Sequence, residues 1–169
     1  PIAAAPAEQP EAVAEMLFAA LASESYDTIA QFADPEKGTT MAIYGFVTED
    51  APVFDSQRWF SVGRDERVYQ FGTYDGSGFP IQETAAEWLH LFFVPHRERS
   101  EWERTITTGT VGTGLATPED IWPQATHVTY RWAGSDQYDG MDWRSITFVL
   151  VKGPAGWRLI GLVSNQWTI

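Results

Sequence analysis

The stretch "SDQYDGMDW", Ser135 to Trp143, places Asp136, Asp139 and Asp142 at every third position of a glycine-bracketed loop. Extracellular calcium sites of millimolar affinity use loops of this kind. In a chain this negative, a solvated acidic loop is the plainer alternative. Asp142 and Arg144 are two apart on an expected strand, so they share a face. They can pair with each other, or Arg144 can hold an anionic ligand through its planar fork, with Trp132 and Trp143 as aromatic surface. On another expected strand, His127 and Tyr130 are an acid–base candidate. An acid such as Asp142, or a histidine, set against a tyrosine in an apolar pocket would have its pKa shifted by burial.

A second acidic stretch, "TYDGSG" at Thr73 to Gly78, looks like part of an EF-hand loop. With Gly76 as the sharp-turn residue, Asp75 takes the fifth place, Phe71 the first, Thr73 the third and Gln82 the twelfth. Calcium needs carboxylates at both ends of such a loop. The stretch therefore reads as a turn, with Gly76 and Gly78 at φ > 0 and Asp75 bonding the backbone ahead. His90, His96 and His127 lack zinc-site spacing. There is no G-x-S-x-G, no P-loop and no dinucleotide fingerprint, and no cofactor is expected. "GTVGTG" at Gly109 to Gly114 follows a strand without opening a helix, so it reads as a hinge or bulge.

These groups must be positioned by a chain of 169 residues, long enough for one domain with a sizeable core. A net charge of −12 repels nucleic acid and anionic membranes. No apolar run approaches the roughly 20 residues of a membrane-spanning helix. Cysteine is absent, which removes disulfides, thiol nucleophiles and thiolate metal sites. The eight tryptophans are spread evenly, which favours packing over a sugar-stacking surface. The chain begins at Pro1, so a boundary or a processed segment upstream is expected, and residues 1–9 read as a tether.

Residues 10–169 read as a single α+β domain. "EAVAEMLFAALASE" carries Val13, Met16, Leu17, Ala20 and Leu21 at helical spacing, and a short helix follows in "SYDTIAQFADP". "TTMAIYGFVT" and "ERVYQFGTY" read as strands, and "DSQRWFSVG" as a helix capped by its Asp. Ile81, Ala85, Trp88, Leu89 and Phe92 line one face of a helix expected from Ile81 and ended by Pro95. "SEWERTITTGTVG" alternates as a strand, and "TPEDIWP" opens a helix of about two turns. Three β-rich runs finish the chain, the last two joined by "GPAG" as a hairpin. Ile146, Phe148 and Leu150 share one face and Val149 and Val151 the other, as in a strand inside a sheet. The expected fold is short N-terminal helices packed on a curved, mainly antiparallel sheet, cone-like in outline.

The ending "GMDWRSITFVLVKGPAGWRLIGLVSNQWTI", Gly140 to Ile169, resembles the end of a group of uncharacterised bacterial secreted proteins and lipoproteins. That group carries "GMDWRSL" and a final "HDQWTI", and shares a "G-T-Y-D-G-S-G-x-P-I" stretch matched by Gly72 to Ile81. The layout is also similar, at fold level, to the ketosteroid-isomerase-like (nuclear transport factor two-like) cone. The first resemblance implies an extracytoplasmic location, a lipid anchor on a cysteine ahead of this sequence, and no established activity. The group's His-Asp is Ser164-Asn165 here, so any chemistry of that pair is lost. The expected function is a non-catalytic module holding a small molecule or an envelope partner. The alternatives are an isomerase- or hydrolase-like enzyme and a structural envelope domain.

Overall fold

The computed structural model describes residues 9–108 and 117–167. The expected tether at residues 1–9 (all but Gln9) and the glycine stretch at Gly109 to Gly114 lie outside them.

Pro10 sits in the first turn of α1 (Pro10–Ala22), where its missing N–H costs nothing. The helix buries Val13, Ala14, Leu17, Phe18 and Leu21. Phe18 is a core residue that the spacing argument passed over, and its ring lies 4.6 Å from that of Tyr130. After α2 (Tyr26–Ala30) the chain enters β1 (Thr39–Ala42) and β2 (Val53–Phe54). Asp55 caps α3 (Ser56–Ser61) by accepting from the Arg58 N–H at 2.7 Å.

Next, β3 (Tyr69–Thr73) and β4 (Pro80–Glu83) form a two-stranded sheet, and α4 (Ala85–Phe92) follows. The helix expected from Ile81 therefore starts at Ala85. Ile81 to Glu83 pair with β3, and Thr84 with Glu87 forms a reciprocal cap that fixes the helix start. The main sheet is completed by β5 (Glu103–Thr108), β6 (Thr126–Trp132), β7 (Arg144–Gly153) and β8 (Gly156–Gln166), with the short α5 (Pro118–Ile121) between β5 and β6.

Six strands pair in the order β2-β1-β8-β7-β6-β5. Every pairing is antiparallel except β1 with β8. A register shift sets Val149 opposite Gly161 but Leu150 opposite Leu159, an extra residue that bends β8 and increases the local twist. Gly161 lies under Trp122, whose ring atoms would stand 2.9 Å from a Cβ there, so only glycine fits this crossing. The fold is α+β, with N-terminal helices against a curved, mainly antiparallel sheet.

The core lies between α1, α4 and one face of that sheet. Ile146, Phe148 and Leu150 point into it with Val128, Tyr130 and Leu162. Val149 packs on the opposite face with Ala125, Ile160 and Trp122. Trp59, Trp88 and Trp102 are buried, so tryptophan serves mainly as packing here.

Candidate functional site

The face of β6, β7 and β8 where a cone-like enzyme would hold its pocket is filled by side chains. Tyr130 packs against Phe18 and edge-on to Phe148. A more enclosed space lies elsewhere, in a cavity of about 710 Å³ between the end of β1, β3 and the end of β8, while a shallower one of about 680 Å³ lies between α1 and residues 95–101. The more enclosed cavity is the size of a drug-sized ligand site.

The cavity is built from three separate parts of the chain. The first is the turn after β1. A strand over "TTMAIYGFVT" was expected, but β1 stops at Ala42, because Tyr44 and Gly45 take left-handed φ angles of 61° and 78°. A bulky residue there is strained, and such strain gathers at functional sites. Gly45 also needs its missing side chain, since a Cβ would lie 2.5 Å from the Asn165 amide nitrogen. Tyr44, Phe46, Thr48 and Asp50 reach the cavity from this turn.

The second part is β3 and "TYDGSG", which is a turn as expected. Gly76 and Gly78 have φ of 79° and 68°, and the Gly78 N–H donates to the Tyr74 carbonyl at 2.9 Å. The Asp75 carboxylate accepts from the Gly76 N–H, and the Asp75 N–H donates to the Tyr44 hydroxyl, joining two walls. The third part is the end of β8, where Asn165 and Gln166 line the cavity. Its apolar wall includes Met41, Phe71 and Trp88, the last two stacked at 4.2 Å. Asp50 and Asp75 are the charged residues that line it, with no Lys, Arg or His among the lining side chains. Burial pushes the Tyr44 hydroxyl pKa up, so it stays protonated near neutrality.

The residues singled out from the sequence are elsewhere, and they do not converge. His127 and Tyr130 are three apart on β6 and point to opposite faces. His127 is fully buried, and its Nε2–H donates to the Pro118 carbonyl of α5 at 3.2 Å. Tyr130 faces α1, beside Glu15, which is clamped by Arg99 at 2.8 and 2.5 Å and by Arg104 at 2.7 Å. Burial, then the Glu15 charge, pushes the Tyr130 hydroxyl up to about 12.

Asp142 precedes β7 rather than lying on it, so it does not share a strand face with Arg144. Its two oxygens accept from the Ser135 N–H at 2.7 Å and the Ser135 hydroxyl at 2.8 Å, and these bonds hold its pKa low. The same bonds close the acidic loop, which Asp139 turns with a left-handed φ of 50°. Among the described residues, no group of three or more His, Asp or Glu is placed to hold a metal, so Asp136, Asp139 and Asp142 do not form one. Millimolar calcium against chelator is expected to leave the melting temperature unchanged, and a calcium-dependent rise would return an ion to this loop. Trp132 and Trp143 are half-buried, under the guanidiniums of Arg97 at 4.8 Å and Arg131 at 5.4 Å respectively.

Gly72, Thr73 and Asp75 from the glycine-rich turn meet Asn165 and Gln166 from near the end of the chain at this cavity, a meeting that spacing along the chain does not reveal.

No family model matches the chain, and no curated protein matches it. Among solved structures, the chain is similar to one described as a putative calcium/calmodulin dependent protein kinase II association domain from Xanthomonas campestris. The two are 12% identical with a TM-score of 0.38, over 96% of this chain and 94% of that one. Among the described residues, no helix is long and apolar enough to cross a membrane.

Proposed function

We propose that the chain is a non-catalytic binding module, and that its ligand is a small uncharged or cationic molecule with hydrogen-bonding groups and an apolar face. The observation that carries this reading is the cavity of about 710 Å³, with the exposed Phe46 and half-buried Tyr44 as aromatic surface and a rim of amides, hydroxyls and two carboxylates. Aromatic surface holds an apolar or sugar-like face, and the rim fixes orientation. Asp50 and Asp75, unopposed by any lining cation, disfavour an anion and favour an amine or a neutral polyol.

Catalysis is not part of this reading. The group that resembles this chain carries His-Asp where Ser164-Asn165 stands, and Ser164 is buried while Asn165 meets the cavity with an amide. An amide can bind but cannot exchange a proton near neutral pH. The same resemblance supports an extracytoplasmic setting, where such a module would collect a solute or dock an envelope partner.

The test is a melting-shift screen with neutral sugars, polyols and small organic amines, repeated on Ala51→Trp. Ala51 lines the cavity from a loop outside the core, so the larger ring would fill the space and leave the fold intact. The expected result is a saturable rise in melting temperature that Ala51→Trp abolishes. No response to any such probe, or a response that Ala51→Trp leaves unchanged, overturns the reading.

A further inference from the structure

Beside the same end of the sheet, where β7 starts, a chain of net charge −12 gathers arginines and histidines. Arg144 opens β7 on its core-facing side, opposite Trp132 of β6 and Gln166 of β8. It is half-buried, yet no ion pair to it exists among the described residues. Its Nη1 donates one long hydrogen bond, to the Leu91 carbonyl near the end of α4 at 3.4 Å.

Just beyond α4, the Arg97 guanidinium lies over the Trp132 ring, the residue paired with Arg144. His96 stands beside it, with its ring 5.8 Å from that of His90. Two of the chain's three histidines thus join two of its arginines in one place. Glu24 accepts from His90 at 2.9 Å, while Asp142, hydrogen-bonded by Ser135, keeps its charge and faces Arg97 rather than Arg144.

A half-buried guanidinium without a carboxylate is costly, because burial removes water that one long hydrogen bond only partly replaces. Desolvation lowers the pKa of Arg144 with no acid offsetting it. His96 is lowered by burial first and then by the charges of Arg144, His90 and Arg97. An anion beside Arg144 would supply a charge partner for its guanidinium.

We propose that the start of β7 beside the end of α4 is a binding site for a small oxyanion, the carboxylate or phosphate of a small molecule, held by Arg144 with Arg97 and His96 at its edge. Among the described residues Arg144 makes only the long bond to Leu91, which leaves donors for the two-point geometry that carboxylate and phosphate oxygens accept. Stacking on Trp132 holds Arg97 in place, so less side-chain freedom is lost on binding. This site is separate from the cavity, although Gln166 touches both neighbourhoods.

The experiment is a titration with inorganic phosphate and, separately, with succinate, at ionic strength held constant with sodium chloride so that screening does not change. It is followed by NMR of the His96 ring and the arginine Nε–H groups. The expected result is saturable shifts at His96 and Arg144, with apparent affinity about tenfold weaker in Arg144→Gln and partly retained in Arg144→Lys. Arg97→Gln, on an exposed loop, is expected to weaken binding severalfold and serves if Arg144→Gln does not fold. A stronger response to phosphate or to succinate assigns the anion class. Shifts that rise linearly with both anions, or that are the same in the Arg144 and Arg97 variants, overturn the proposal.

Discussion

Trp88→Ala is expected to lower the melting temperature by roughly 6–20 °C. Trp88 is among the largest fully buried side chains, 1% exposed, and it touches four other rings. It stacks on Phe71 at 4.2 Å and 5°, meets Phe93 at 5.1 Å and lies against Phe54 and Phe92. Truncating a buried tryptophan costs about 3–5 kcal/mol, because the neighbours only partly close the void. For a domain of this size each kcal/mol is worth about 2–4 °C. Trp88→Phe should cost much less than its lost volume implies. Among the described residues the buried Trp88 Nε1 has no acceptor, so phenylalanine removes an unsatisfied donor along with the larger ring. Thermal unfolding of both variants decides this. A drop for Trp88→Phe as large as for Trp88→Ala would mean that the indole N–H is satisfied after all. Trp88 also walls the cavity, so Trp88→Ala should alter ligand response together with stability.

Glu15→Gln is expected to destabilise the fold by about 1–2 kcal/mol at neutral pH, and to change how stability depends on pH. Glu15 is the carboxylate on which Arg99 and Arg104 both close, tying α1 to β5 and to the turn ahead of it. The side chains are 34–39% exposed, so water screens the pair and the fully buried penalty does not apply. The hydrogen bond from Arg99, followed by its charge, holds the Glu15 pKa below the usual 4.5 despite partial burial. A lowered folded-state pKa gives stability that is complete above about pH 4.5 and is lost as pH falls through the folded value. Wild type should therefore lose more stability than Glu15→Gln on acidification below pH 4.5. On the alkaline side Tyr130 works in the opposite sense. Its pKa is raised from 10.0 to about 12, so its contribution is complete below pH 10 and disappears as pH rises toward 12. Denaturant unfolding from pH 3 to 7 tests the Glu15 half of this prediction. Parallel curves for wild type and variant in that range would show that the carboxylate gains nothing from its arginines.

Much of the element order was legible in the residues because it depends on neighbours along the chain. The helical spacing of Val13, Leu17 and Leu21, the Asp55 cap, the turn chemistry of Asp75 to Gly78 and the two-faced pattern of β7 all act within a few residues. The misreadings have equally local causes. Ile81 to Glu83 fit an amphipathic helix by spacing, but pairing with β3 satisfied their backbone first, leaving Thr84 to start α4. The strand through Ile43 and Tyr44 stopped because the chain turns left-handed there.

The sequence by itself determined the class of the fold, the tryptophan-rich packing, the absence of thiol chemistry and the net charge of −12. Only the tertiary structure decided where a site can be. Period-2 alternation shows that His127 and Tyr130 face apart, but not that α5 covers one while α1 and the Glu15 pair receive the other. The cavity joins Tyr44, Asp75 and Asn165, and the proposed oxyanion site joins Arg97 to Arg144. Such contacts depend on strand order and on the parallel pairing of β1 with β8, which are set by the packing of distant segments and leave no periodic trace along the chain.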